Sequence, residues 1–168
     1  MKKNIIVAVD NKHGFTKDKK IPWHYQNDFK HFKKITMGNI CIMGRNTYTE
    51  INDKLNNPIE LLSGRTSIVV SSTLEDINNA LVISDLSELD NLLFDLNSPN
   101  KEIFFIGGKQ IYEYALDVCD KIYLTKINED FNCDEFFNMD KLLNNFTLTN
   151  SQELEELTFN EYTNTRSN

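Results

Sequence analysis

Short hydrophobic runs alternate along this chain with segments whose apolar residues recur at helical spacing. The runs contain many β-branched side chains and few polar ones, a pattern typical of strands that are covered on both faces. They predict strands at 5–9, 39–43, 67–70, 80–83, 103–106 and 122–127. Strands that alternate with helices indicate a largely parallel sheet with right-handed crossovers.

Four of the intervening segments have the period of a helix. From Asp28 onward, apolar residues recur at three-residue steps and the lysines between them face water. Further helices are predicted from 44 to about 52, from 86 to 96 and through 111–115, whereas 11–21 is predicted to be a loop. The alternating segments 146–153 and 157–163 predict a terminal hairpin.

These elements together predict the fold class. We expect a single α/β domain over residues 1–168, built on a mostly parallel central mixed sheet of about eight strands. Helices flank the sheet, and a C-terminal antiparallel hairpin completes it.

The composition is that of an ordinary globular domain. The chain has 168 residues, of which 40% are hydrophobic and 26% charged, and it is long enough to bury a core without disulfide bonds or metal sites. No segment reaches the roughly twenty apolar residues that a membrane helix needs. The apolar run at the start is too short for a secretory signal and closes at Asp10, so we expect no membrane association.

Cysteine usage favours a reducing compartment. Cys41, Cys119 and Cys133 are odd in number and have no metal-ligand spacing, which argues against a disulfide framework or a metal site. Cys41 lies inside an apolar run and is expected to serve packing. We therefore expect a cytoplasmic protein without a metal.

The net charge narrows the class of ligand. A charge of -7 argues against nonspecific nucleic-acid binding, which depends on a basic face. An anionic small molecule would have to be held by a few local cations against an unfavourable overall field. The chain has three arginines, and two of them, Arg45 and Arg65, lie in candidate motifs.

Asp28 is the first candidate for chemistry. Its four-residue spacing to Phe32 places the carboxylate at the edge of the apolar helix face, where burial costs several kcal/mol unless a donor or cation meets it. The alternative is a first-turn acid that the helix dipole favours. The helix alone does not distinguish these two interpretations.

Two strand-to-helix junctions are candidates for ligand binding, because ligands in such sheets bind beyond the carboxyl ends of the strands. The segment 44–47 supplies free amides at a helix start, a hydroxyl, and an arginine that can grip a phosphate with two donors. The adjacent Gly107 and Gly108 allow a ligand to approach the backbone closely. Ordinary turns and a glycine-led helix start remain alternative explanations.

Two further polar positions stand beside the third strand. Ser71 and Ser72 end it and could assist Arg45 at a phosphate, although serines there are often turn residues. Arg65 precedes the same strand and offers the bidentate fork that suits a carboxylate, or else is a solvated loop cation.

Seven motifs, taken in order, resemble dihydrofolate reductase, and their spacing covers nearly the whole chain. They are Ile6-Val7-Ala8-Val9, Ile21-Pro22-Trp23 with Asp28 five residues later, Ile42-Met43-Gly44-Arg45-Asn46-Thr47, Gly64-Arg65, Ser71-Ser72, Ile106-Gly107-Gly108 with Ile111-Tyr112, and Tyr123-Leu124-Thr125.

The resemblance implies an NADPH-dependent reduction of dihydrofolate to tetrahydrofolate, with hydride transfer to pterin carbon 6 and protonation of nitrogen 5. It implies a catalytic group of Asp28, Trp23 and Thr125, in which Asp28 binds the pterin edge, Thr125 braces it and water delivers the proton. The implied substrate-binding residues are Ile6, Val7, Ala8, Asp28, Phe29, Phe32, Ile51, Leu62, Arg65, Ile106 and Thr125. The implied partner is the small-molecule substrate dihydrofolate, and we expect a monomer that binds neither nucleic acid nor a membrane.

The same resemblance assigns the cofactor site. Arg45 matches the arginine that meets the adenosine 2′-phosphate, Thr47 the threonine at the pyrophosphate, and the glycine pair carries a cis peptide. The implied NADPH-binding residues are Ala8, Gly14, Ile21, Gly44, Arg45, Asn46, Thr47, Ser71, Ser72, Ile106, Gly107, Gly108, Lys109, Gln110, Ile111 and Tyr112.

The chain departs from the family pattern at three of its positions. Lys109 stands where a third glycine is frequent, and Gln110 where a cation is frequent. Thr16 replaces the second glycine of a loop that in this fold closes over the nicotinamide. Because a β-branched residue resists positive backbone angles, we expect this loop to move less freely.

Two other functions stay open. A reductase of a riboflavin-pathway pyrimidine shares the fold, but the spacing from Trp23 to Asp28 and the presence of Arg65 favour dihydrofolate. A catalytically idle nucleotide-binding module is disfavoured by an intact Asp28 and Thr125.

Overall fold

The computed structural model describes residues 1–55 and 59–167, and within these ranges it contains ten strands. They are β1 (Lys3–Val9), β2 (Gly14–Thr16), β3 (Ile40–Gly44), β4 (Thr66–Val70), β5 (Leu81–Ile83), β6 (Ile103–Phe105), β7 (Lys121–Ile127), β8 (Glu135–Phe136), β9 (Phe146–Glu153) and β10 (Leu157–Asn164).

Eight of the strands form one sheet in the order β5-β4-β3-β6-β1-β7-β10-β9. The pairs from β5 to β7 are parallel, and β10 and β9 add an antiparallel hairpin. The predicted α/β fold class with a mostly parallel mixed sheet is therefore confirmed.

In the described ranges, five helices accompany the sheet: α1 (Gln26–Thr36), α2 (Arg45–Asp53), α3 (Leu89–Leu96), α4 (Lys109–Val118) and α5 (Met139–Asn145). The helix α2 begins directly at the end of β3, and α4 begins shortly after β6. Because β3 and β6 are parallel neighbours, the N-termini of both helices lie at the same edge of the sheet.

The core lies on both faces of the sheet, as the unbroken hydrophobic runs predict. Alternate residues of β1 belong to different core clusters, with Ile5 and Val7 in one and Ile6 in the other. In β3, Ile42 faces the first cluster and Cys41 the second, where Cys41 is fully buried. The side-chain alternation of a strand thus supplies both layers of packing.

The sequence prediction was wrong in several local features. The strands β2 and β8 and the helix α5 were missed, because segments of two or three residues carry no detectable period and α5 has seven residues. Helix α1 begins two residues before Asp28. The predicted helix 86–96 is divided into a 3₁₀ turn (Leu86–Glu88) and α3, and the side chain of Asp85 caps that turn.

The segment 14–21, predicted to be a loop, is a short hairpin that we call the 14–21 hairpin. Its first residues form β2, which pairs with β8, and its tip is closed by two backbone hydrogen bonds between Lys17 and Lys20. The hydroxyl of Thr16 donates to the carbonyl oxygen of Lys20 at 2.9 Å, and the amide of Asp18 donates to the carboxylate of Asp134 at 2.9 Å. The first three bonds close the hairpin on itself, and the bond to Asp134 holds it against the loop that precedes β8.

In the parts of the chain that the structure describes, no helix is both long and apolar enough to cross a bilayer.

Candidate active site

Two cavities meet at the carboxyl ends of β1, β3 and β6. The larger cavity has a volume of about 640 Å³ and the smaller about 570 Å³, within the range of small-molecule sites. Six residues line both cavities and therefore mark their junction: Ala8, Ile21, Thr47, Glu50, Ile106 and Tyr112.

Asp28 lies in the wall of the smaller cavity, in the first turn of α1, and is only 8% exposed. Burial raises the pKa of its carboxyl to about 6, while the neighbouring Trp23 and Thr125 lower it. Burial outweighs both groups because they do not compensate for the water that the charged form has lost. A carboxyl with such a pKa is poised to bind a donor or a cation at neutral pH.

Trp23 and Thr125 lie behind Asp28 and do not line either cavity. Thr125 sits in the middle of β7, opposite Ala8 of β1, and is buried. Trp23 packs with its ring 5.2 Å from that of Phe131, and its buried Nε1 has no hydrogen-bond partner among the described protein atoms. The indole N–H therefore does not meet the geometry of a direct hydrogen bond to Asp28.

The other residues predicted to bind substrate line the smaller cavity, which runs from Asp28 toward Arg65. Its walls are mainly apolar and include Ile6, Val7, Ala8, Phe29, Phe32, Ile51, Leu62 and Ile106. Arg65 is oriented by two hydrogen bonds, from Nε to the carbonyl oxygen of Ser63 and from a terminal nitrogen to the Thr36 hydroxyl, both 3.1 Å long. Its guanidinium also stands 5.8 Å from the ring centre of Phe32.

Both predicted strand-to-helix junctions, at Gly44 and at Gly107-Gly108, line the larger cavity. The amide of Gly44 donates to the carbonyl oxygen of Gly107 at 2.8 Å, which ties the start of α2 to the segment that leads into α4. The Gly107–Gly108 peptide bond is cis. An added Cβ at Gly108 would meet no atom within 4 Å, so the backbone there is open to the cavity.

A group of hydroxyls stands at the far end of the larger cavity. Arg45 donates to the hydroxyl of Thr73 at 2.5 Å, and Ser71 Oγ lies 3.4 Å from that hydroxyl. Ser72 lines the same wall. Arg45 thus lies beside small polar side chains, in an arrangement that can bind a phosphate through several donors.

Tyr112 connects the strands that end at the junction. Its hydroxyl lies 2.9 Å from the carbonyl oxygen of Ile106 and 3.1 Å from that of Ile6, so it bridges the residue after β6 and the middle of β1. Burial, followed by the charges of Asp28 and Glu50, raises the pKa of Tyr112. Gly107 has a φ of 117°, and a Cβ there would lie within 3.2 Å of this ring, so only glycine suits the position.

The structure also corrects the assignment of Gly14 and shows the surroundings of His31. Gly14 does not line the larger cavity, because an added Cβ would lie 2.3 Å from Cβ of Cys133, and the residue packs there. His31 stacks on Phe159 with ring centres 3.9 Å apart and lines the smaller cavity. Partial burial lowers its pKa.

Sequence reasoning missed several residues of the walls. Thr73 follows the predicted serine pair, so the continuing run of hydroxyls could have indicated it. Glu50 lies one helical turn after Thr47, and that spacing could have placed it on the same face of α2. The 14–21 hairpin and β8 also line the larger cavity, through Phe15, Thr16, Lys19 and Glu135. The pairing of β2 with β8 gave no signal in the sequence.

Comparisons with known proteins agree with this arrangement. A family model described as dihydrofolate reductase matches residues 3–167. The chain is 36% identical over 135 residues to the dihydrofolate reductase of Bacillus subtilis, which covers 80% of this chain and 74% of that protein. It is 36% identical over 130 residues to dihydrofolate reductase type 9 of Escherichia coli, and the match covers 74% of this chain and 69% of that protein. It is 30% identical over 155 residues to the dihydrofolate reductase of Ureaplasma parvum, with 90% of each chain covered.

Proposed function

Because the chain belongs to the dihydrofolate reductase family, we propose that it reduces dihydrofolate to tetrahydrofolate with NADPH as the hydride donor. The observation that carries this proposal is the buried Asp28 in an apolar cavity that adjoins a second cavity lined by two helix N-termini. One cavity suits a flat heterocycle with an anionic tail, and the other suits a phosphorylated dinucleotide.

The larger cavity fits NADPH by its chemistry. When bound, this cofactor would supply the hydride for pterin carbon 6. Arg45, with Ser71, Ser72 and Thr73 beside it, would hold the 2′-phosphate. Thr47 and the amides that begin α2 and α4 would hold the pyrophosphate, and the open backbone at Gly108 leaves room for it.

The smaller cavity fits dihydrofolate. Ionised Asp28 accepts hydrogen bonds from the pterin's nitrogen 3 and 2-amino group, and this fixes the ring beside the junction. The apolar walls exclude water and hold the aminobenzoyl group, while Arg65 pairs with the α-carboxylate of the glutamate. In this pose Asp28 lies too far round the ring to protonate nitrogen 5, so that proton comes from water.

Arg65→Ala should weaken dihydrofolate binding by roughly ten- to a hundredfold, the scale of a charge-assisted contact. Binding measured by fluorescence quenching tests this. A substrate analogue that lacks the glutamate serves as the control, and it should bind both proteins alike. Since Arg65 also bonds to Ser63 and Thr36, equal losses for the two ligands would show that the residue serves the fold and not the carboxylate.

Thr16→Gly should change the steady-state rate more than the hydride-transfer step. It removes both the β-branched side chain and the hydroxyl bond to Lys20 that stiffen the 14–21 hairpin. Opening and product release commonly limit turnover in enzymes gated by such segments. Rapid mixing distinguishes hydride transfer from product release. A burst of NADPH oxidation reports the hydride-transfer rate, and the later linear phase reports the rate of product release.

Thr16→Ser keeps a hydroxyl that can reach the carbonyl oxygen of Lys20 and is the matched control. It should resemble the wild type more closely than Thr16→Gly does. A several-fold change in the burst rate of Thr16→Gly with an unaltered linear phase would refute the gating role.

The reaction class is tested by substrate choice. The purified protein, mixed with NADPH and either dihydrofolate or the ribosylaminopyrimidine of the riboflavin pathway, is followed at the absorbance band of the reduced nicotinamide. We expect oxidation with dihydrofolate alone. Oxidation with the pyrimidine alone would identify the alternative reductase, and oxidation with neither, despite cofactor binding, would indicate an idle module.

A further inference from the structure

Glu50 places a carboxylate at the junction of the two cavities. It lies on α2 and lines both cavities, and its side chain is only 10% exposed. A carboxylate this buried is costly unless hydrogen bonds compensate for the lost water. Its partners therefore indicate what the residue does.

The carboxylate joins α2 to the end of the 14–21 hairpin. Glu50 Oε1 accepts from the backbone amide of Ile21 at 3.0 Å and from Nζ of Lys54 at 3.3 Å. Ile21 also lines both cavities, so the bond spans the junction. Lys54 is 60% exposed, and an exposed ion pair one helical turn away contributes little. The bond to Ile21 is thus the more specific one.

The bond to Glu50 fixes the backbone of Ile21, at the end of the 14–21 hairpin. The residue after it is Pro22, which lacks an N–H and restricts the backbone of the residue before it. The other anchors of the hairpin, the Thr16 hydroxyl and the Asp18 amide, act nearer its tip. Removing the Glu50 carboxylate would release Ile21 while those anchors stay in place.

We propose that Glu50 is a positioning residue that holds Ile21 over the junction of the two cavities. It acts through the backbone of Ile21, whose side chain then covers the place where the two ligands would meet and keeps water out. This role rests on the proposed function, because it concerns the geometry of hydride transfer. The bond itself can be tested without any substrate.

Hydrogen–deuterium exchange of the Ile21 amide in the ligand-free protein tests the bond. Glu50→Ala should speed this exchange by roughly ten- to a hundredfold, the scale of a hydrogen bond to a charged group. Glu50→Gln keeps an oxygen acceptor and should restore much of the protection, and Lys54→Ala should leave it unchanged. The buried Gly14 amide, bonded to Asp10 at 2.8 Å, is the internal reference, because general unfolding would expose both amides.

Single-turnover kinetics tests the consequence. In Glu50→Ala the hydride-transfer rate should fall several-fold while the KM for dihydrofolate changes little, and Glu50→Gln should recover most of the rate. Unchanged Ile21 exchange in Glu50→Ala, or faster exchange with an unchanged hydride-transfer rate, would overturn the proposal. If the wild type lacked activity toward dihydrofolate, the proposed function would fail while the exchange data still reported on the bond.

Discussion

Asp28→Asn should cut dihydrofolate turnover at neutral pH by orders of magnitude and leave NADPH binding nearly intact. The amide offers one acceptor oxygen where the ionised carboxylate offers two, and it carries no charge to meet the pterin edge. Asp28 lines the smaller cavity and not the larger one, so the cofactor should not sense the change. Steady-state rates and NADPH binding, measured on the same preparation, check both parts.

The pH profile of this variant provides its control. Activity should return in part at acidic pH, where the substrate arrives already protonated and no longer depends on Asp28. Turnover like that of the wild type at pH 7 would refute the assignment of Asp28.

The same substitution should raise the stability of the fold, although it lowers turnover. Burial raises the pKa of Asp28 from 3.8 to about 6, so the folded protein binds more protons than the unfolded chain between these values. The free energy of unfolding contributed by this group therefore falls as the pH rises through that window. The resulting cost is on the order of 3 kcal/mol above pH 6. Relative to the wild type, Asp28→Asn should gain stability as the pH rises from about 4 to about 6, measured by urea unfolding.

Arg45→Ala should reduce the preference for NADPH over NADH by about 1.5 to 3 kcal/mol, or roughly ten- to a hundredfold. The guanidinium lies beside the hydroxyls of Thr73 and Ser71, and the substitution removes its positive charge from that end of the cavity. The ratio of the dissociation constants of the two cofactors measures the effect. Lys109→Ala, which removes a cation elsewhere in the same cavity, should weaken both cofactors equally. If Arg45→Ala also weakened the binding of both cofactors equally, Arg45 would not recognise the 2′-phosphate.

The fold could be predicted because the central strands of its sheet are covered on both faces. Continuous runs such as 5–9 and 39–43 carry a signal that tertiary contacts do not override, and both belong to the central sheet. The pairing of β2 with β8 could not be predicted, because it joins two very short segments far apart in the chain. Nor could the half-buried position of His31, which depends on Phe159 of β10.

Predicting the site depended on different kinds of information. The four-residue spacing of Asp28 and Phe32 indicated a carboxylate beside an apolar face, and the structure places Asp28 there. The motifs placed most of the cofactor residues at strand-to-helix junctions, where the larger cavity lies. The hydrogen bond from the backbone amide of Ile21 to Glu50 spans 29 residues, and no local pattern encodes it.

Transfer of deuterium from the cofactor to the substrate tests the central claim most directly. NADPH that carries deuterium at the reacting carbon of the nicotinamide is mixed with dihydrofolate and the protein, and the product is analysed by mass spectrometry and NMR. The account predicts tetrahydrofolate with one deuterium at carbon 6, and a hydrogen from solvent at nitrogen 5. Cofactor that stays reduced, or a product without deuterium at carbon 6, would contradict it.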